Sequence, residues 1–123
     1  MEELVFSVPG LPVPKQRART FLSKGGKVLS RTPPETRSYE RLVGMHAGVA
    51  AARARWEPRP GPHVLHVAVV WPDRRRRDLD NLVKSIADAL NGVAWDDDSS
   101  VVELHAVSSV NAHNPGVIVR VER

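Results

Sequence analysis

The run "HVLHVAVVW", His63 to Trp71, does most to limit what this chain can fold into. It is β-branched and almost continuously apolar, yet far shorter than the roughly 20 residues a membrane span takes. Such a run suits a strand covered on both faces, and hence a central one. Pro72 closes it, because proline has no N–H to give to a ladder. A central strand needs neighbouring strands and covering helices, and the flanking sequence supplies both.

Downstream, apolar residues fall at Leu79, Val83, Ile86, Ala87 and Leu90. That spacing predicts an amphipathic helix of about three turns, starting near Asp80 and stopped by Asn91-Gly92. "SVVELHAVSSV" reads as a strand, Asn114-Pro115-Gly116 as a turn, and "VIVRV" as the returning strand. Upstream, Leu4, Phe6 and Val8 alternate with Val5 and Ser7 as in a short strand, which "PGLPVP" ends. Six basic residues follow between Lys15 and Arg31 around Gly25-Gly26. We read residues 14–31 as a mobile basic loop or loose hairpin. Thr32-Pro33-Pro34-Glu35 has the form of a capping box. Tyr39, Leu42, Val43, His46, Val49, Ala50 and Arg53 then recur at helical spacing to about Trp56. Gly44 and Gly48 weaken that helix by about 1 kcal/mol each unless something packs against them. The order β-loop-α-β-α-β-β gives an α+β fold: a single domain over residues 1–123, a mixed sheet with two helices packed on it.

The 18 Lys and Arg outnumber the 14 Asp and Glu, for a net charge of +4. That excess favours an anionic partner, nucleic acid before an acidic membrane. The chain has no cysteine, which excludes disulfides, thiolate metal sites and cysteine nucleophiles. The start "MEELVFSVPG" lacks the pattern of a signal peptide, so a soluble cytoplasmic protein is expected. No glycine-rich phosphate loop is present, and no nucleotide cofactor is expected.

The densest positive charge, Arg74-Arg75-Arg76-Arg77, abuts Asp78 and Asp80 in "RRRRDLDNLVKS". The two acids lie in a strand-to-helix connection, where ligands commonly bind in sheets with crossover helices. Residues two apart in extended chain face the same way, so both carboxylates can converge. Lys84 lies one helical turn beyond Asp80 on the same outward face. "WDDDSSV" sets Asp96, Asp97 and Asp98 just before the next strand. If that strand runs antiparallel to the central one, its entry lies beside Trp71. If it runs parallel, its entry lies at the opposite edge of the sheet. Three carboxylates meeting in one place need a counter-charge. Mg²⁺, with Mn²⁺ as a substitute, is the natural choice for an all-oxygen donor set. The acids would then hold a metal that works on phosphate, and the arginines would deliver the phosphate.

Plainer roles compete with each of these. An aspartate before a helix commonly caps it. Lys84 can pair with Asp80 or Asp88, each four residues away. An arginine run is commonly solvated. The five histidines show no metal-ligand spacing, and the three tryptophans read as core or interface residues.

The stretch "PDRRRRDLDNLVKSIADALNGVAWDDDSSVVEL", Pro72 to Leu104, resembles the RusA-type Holliday junction resolvases, a family often carried by prophages. It shares their basic run, DLDN, lysine, "DAL", aromatic, acidic pair and hydrophobic strand, in order. "PGLPVPKQRART" resembles the proline-rich start of the family. The resemblance implies a Mg²⁺-dependent endonuclease that cuts four-way DNA junctions symmetrically as a homodimer, leaving 5′-phosphate ends, in DNA recombination and repair. It implies catalytic roles for Asp78, Asp80, Lys84 and Asp98. The metal would be held by Asp78, Asp80 and Asp98, with Asp97 the alternative third acid. Lys15, Arg17, Arg19 and Arg74 to Arg77 are the implied DNA contacts.

Overall fold

The structure, a computed structural model, describes residues 2–16 and 19–123. Six strands and two helices follow one another as β1 (Glu3–Pro9), β2 (Arg19–Leu22), β3 (Val28–Arg31), α1 (Pro34–Ala54), β4 (His63–Trp71), α2 (Leu79–Ala89), β5 (Val101–Val110) and β6 (Gly116–Glu122). The main sheet has the order β1-β6-β4-β5. β6 runs antiparallel to both β1 and β4, whereas β4 and β5 are parallel. This is the expected mixed sheet. The parallel pair needs a crossover connection, and α2 is that crossover.

Alternation sets the core face. Leu4, Phe6 and Val8 of β1 sit opposite Val121, Val119 and Val117 of β6. Leu65, Val67 and Val69 of β4 continue the layer. β4 is central, as expected, but it is not covered on both faces. His63, Leu65, Val67, Val69 and Trp71 are buried, while the alternate residues are only half-buried. Both helices lie on one side of the sheet, so a β-branched composition here marks a central position rather than a double cover.

The helix α1 starts without the expected capping box. Pro33 is the N-cap residue and no side chain caps the end. Pro34 has no N–H, so one orphan donor is already removed, and φ is preset for the first turn. The Thr36 hydroxyl instead accepts a hydrogen bond from the Gln16 N–H at 3.2 Å. Gly44 faces the Ala89 carbonyl of α2, while nothing lies near Gly48.

In α2, Leu82 and Ile86 are fully buried and the C-cap Leu90 closes the same face. Each such side chain contributes on the order of 1.5–3 kcal/mol. Leu82 joins the expected stripe because the apolar face is wider than an i, i+4 reading gives it. The basic segment before α1 forms a two-stranded hairpin, β2–β3, rather than an irregular loop. Its turn is closed by Ser23 and Lys27. The three tryptophans are buried, as expected.

Candidate active-site cleft

The connection from β4 to α2 folds on itself. The Asp73 carboxylate accepts from the Arg75 N–H at 2.9 Å and from the Arg77 guanidinium at 2.7 Å. Arg77 also lies over the Trp71 ring, 5.1 Å from its centroid. The Arg77 side chain therefore anchors the turn, and its guanidinium holds the Asp73 carboxyl below the usual range. Arg74, Arg75 and Arg76 are left exposed. A fixed turn carrying three exposed guanidiniums is suited to an anionic backbone.

Asp78 is the N-cap of α2, in extended conformation. Its carboxylate accepts from the Asn81 N–H at 3.3 Å and from the Asn81 side-chain amide at 3.0 Å. One turn in, Asp80 is exposed and has no hydrogen-bond or ion-pair partner among the described residues. Lys84 follows on the same face. Its ammonium lies 3.1 Å from Asp88 Oδ1 and 3.5 Å from Asp98 Oδ2. Of the two helical partners open to Lys84, the structure uses Asp88. The hydrogen bond and charge of Asp88, with a smaller contribution from Asp98, hold the Lys84 ammonium above the usual lysine range.

Asp98 begins a single 3-10 turn, Asp98–Ser100, and Asp97 caps it by accepting from the Ser99 N–H at 3.0 Å. The Ser99 hydrogen bonds keep the Asp97 carboxyl low. Two contacts pin this turn to the start of β4. Ser100 Oγ lies 3.0 Å from Nδ1 of the buried His63. A Cβ on Gly61 would stand 2.5 Å from the Ser100 carbonyl oxygen, so only glycine permits that approach.

The parallel direction of β5 puts its entry beside His63, at the far end of β4 from Trp71. Asp98 nevertheless meets α2, because the helix runs back across the sheet for roughly 16 Å and the long Lys84 stem reaches the rest. Asp80, Lys84 and Asp98 line one cleft of about 320 Å³ between α2 and the start of β5, floored by Leu65, Val83 and Val101. Asp78 and Asp80 line a second, larger depression beside Arg76 and Arg77.

The site thus brings together two of the expected acids and the lysine. Asp78 and Asp97 have their carboxylates turned to the ends of α2 and the 3-10 turn. Among the described residues, no three acidic or imidazole side chains stand close enough to hold a metal ion together. Mg²⁺ is usually held by one or two carboxylates and keeps several waters. The oxygen donors of Asp80 and Asp98 in one cleft fit that demand. Lys15, expected on DNA, is engaged inside the protein with Glu40 at 3.3 Å and Asp88 at 2.6 Å. Arg19 opens β2, and Arg17 lies outside the described residues. Glu40, His63 and Ser100 support the cleft and carry no sequence signal for it. Asp88 was legible as a helical neighbour of Lys84 and as the acid of "DAL".

Comparison with known proteins finds relatives over nearly the whole chain. The family profile described as Endodeoxyribonuclease RusA matches residues 9–122. The chain is 33% identical to the crossover junction endodeoxyribonuclease RusA of Aquifex aeolicus (strain VF5), over 98% of this chain and 92% of that protein. It is 29% identical to the uncharacterized protein YqaN of Bacillus subtilis (strain 168), over 98% of this chain and 96% of the other. It is 47% identical to the crossover junction endodeoxyribonuclease RusA of Escherichia coli (strain K12), over a shorter stretch covering 37% of this chain and 39% of that one. No helix among the described residues is long and apolar enough to cross a membrane.

Proposed function

Since the chain belongs to the RusA family of endodeoxyribonucleases, we propose that it resolves four-way DNA junctions by paired, Mg²⁺-dependent phosphodiester hydrolysis. The observation that carries this reading is the shared cleft of Asp80, Lys84 and Asp98 beside a turn with three exposed arginines. Asp80 and Asp98 would hold a hard divalent ion, with Asp78, two positions before Asp80, as a further acid in the adjoining depression. When bound, that ion supplies Lewis acidity at the scissile phosphate. Lys84 offsets charge on the pentavalent phosphorus as water adds and the P–O3′ bond breaks, leaving a 5′-phosphate and a 3′-hydroxyl. Arg74, Arg75 and Arg76 grip the backbone on either side, which keeps DNA beside an acidic cleft that would otherwise repel it.

Resolution takes two cuts, and one chain offers one cleft. A two-fold homodimer presents two. The place of such an enzyme is DNA recombination and repair.

The direct test incubates the protein with a synthetic four-way junction and with linear duplex of the same sequence, with and without Mg²⁺. Symmetric nicks on the junction alone, only with Mg²⁺, support the reading. Junction binding without cleavage under all metal conditions replaces it with a DNA-binding module that makes no cut.

A further inference from the structure

Asp88 stands outside the acids expected to act on DNA, yet both its oxygens are taken. Oδ1 forms an ion pair with the Lys84 ammonium at 3.1 Å, and Oδ2 accepts from Lys15 at 2.6 Å. Lys15 reaches it from the segment after β1, whose backbone is tied to α2 by the Lys15 N–H to the Asn81 carbonyl at 2.9 Å. Glu40 of α1 holds the same ammonium at 3.3 Å. Alternating charges thus run Glu40, Lys15, Asp88, Lys84, Asp98 across four parts of the fold.

The Lys84 side chain is 56% exposed, whereas that of Asp88 is only 19% exposed. An exposed lysine on a four-carbon stem samples many rotamers, and fixing it costs side-chain entropy. Its contact with Asp98, at 3.5 Å, is the longer of its two. A surface ion pair of ordinary kind would leave its acid solvated and singly paired. Asp88 is neither, and its second cation comes from a residue 73 positions away.

We propose that Asp88 is a positioning residue: it holds the Lys84 ammonium at the cleft, and Lys15 fixes Asp88 for that task. This rests on the reading that Lys84 acts on the scissile phosphate. With Lys15 as counter-cation, Asp88 retains Lys84 when Asp98 takes up another partner. The lysine is then already in place as charge builds on the phosphate.

The test compares wild type with Asp88→Asn, Asp88→Glu, Lys84→Met and the double variant Asp88→Asn/Lys84→Met. Single-turnover junction cleavage, junction affinity without metal and thermal unfolding are measured for each. Asp88→Asn is expected to lower the cleavage rate about 10- to 100-fold with affinity unchanged, and Asp88→Glu to recover part of the loss. In the Lys84→Met background, Asp88→Asn is expected to cost nothing further. A full rate for Asp88→Asn, or losses that add in the double variant, overturns the proposal. A second readout needs no catalysis: ¹⁵N NMR of the lysine ammonium groups, with Lys84 assigned by its own substitution. An ordered Lys84 signal that vanishes in Asp88→Asn supports the proposal, and one that persists overturns it. An inert wild type, or Lys84→Met cutting at full rate, fails the functional reading instead, and the NMR result alone then decides the positioning role.

Discussion

The two helices lie on the same side of one sheet and do different things. α1 has 21 residues, begins at two prolines and ends in a left-handed Arg55. Its buried residues Tyr39, Val43, Ala47 and Ala51 pack inward, while Arg41, Met45 and Val49 are exposed on its outer side. α2 has 11 residues and separates its faces more sharply. One face closes the core. The other carries Asp80, Lys84 and Asp88 at intervals of one turn, against a turn bearing Asp98. Length and buried area make α1 the scaffold. A charged ladder with a second element beside it makes α2 the proposed working surface. The lesson is that an outer face which meets a second element can hold its charged side chains in place, whereas one that meets only water has no geometry to enforce.

Substitutions can break or sharpen that contrast. The largest effect is expected for Asp80→Asn, which should lower junction cleavage by about 10²- to 10³-fold while gel-shift affinity is retained. Arg41→Ala on the outer side of α1 should leave the rate unchanged, and equal losses at both positions would erase the distinction. Next come the helix starts. Asp78→Ala removes a side-chain cap and should cost about 1 kcal/mol in urea unfolding. Thr32→Ala should cost close to nothing, since α1 has no side-chain cap to lose. Smaller again is Gly48→Ala, where an added Cβ meets open space. It should stabilise the protein by about 0.5–1 kcal/mol, seen as a raised midpoint with an unchanged slope.

The last effect appears only in acid. Burial pushes the Asp88 carboxyl up, but the Lys15 and Lys84 ammoniums together outweigh it and hold it below the usual range. A lowered native pKa means stability that is fully present above the unfolded value, about 3.9 for aspartate, and is lost as pH falls through the native one. The stability gap between wild type and Asp88→Asn should therefore hold from neutrality to about pH 4 and close below it. A gap that closes nearer neutrality would show that the two lysines do not hold the carboxylate in α2.

Much of this was open to reading from residues in order. The alternation of Leu4, Phe6 and Val8, the apolar run at β4 and the stripe of α2 each fix an element and its inward face, because side-chain direction repeats every two or 3.6 residues. The same rule puts Asp80, Lys84 and Asp88 in one line. Reading Thr32 and Glu35 as a capping box failed because the paired prolines already set the start of α1. A double cover for β4 failed because composition reports a buried strand without reporting how many layers bury it.

Local geometry decided which residues share a face, since a helix or strand carries its own repeat wherever it lies. Meetings between distant segments carry no such repeat. That β5 runs parallel to β4, that Asp98 comes to Lys84, and that Lys15 reaches Asp88 across 73 positions follow from how the apolar faces of the sheet and helices close on one another. Only the folded chain pays that closure entropy, so only the tertiary structure could decide them.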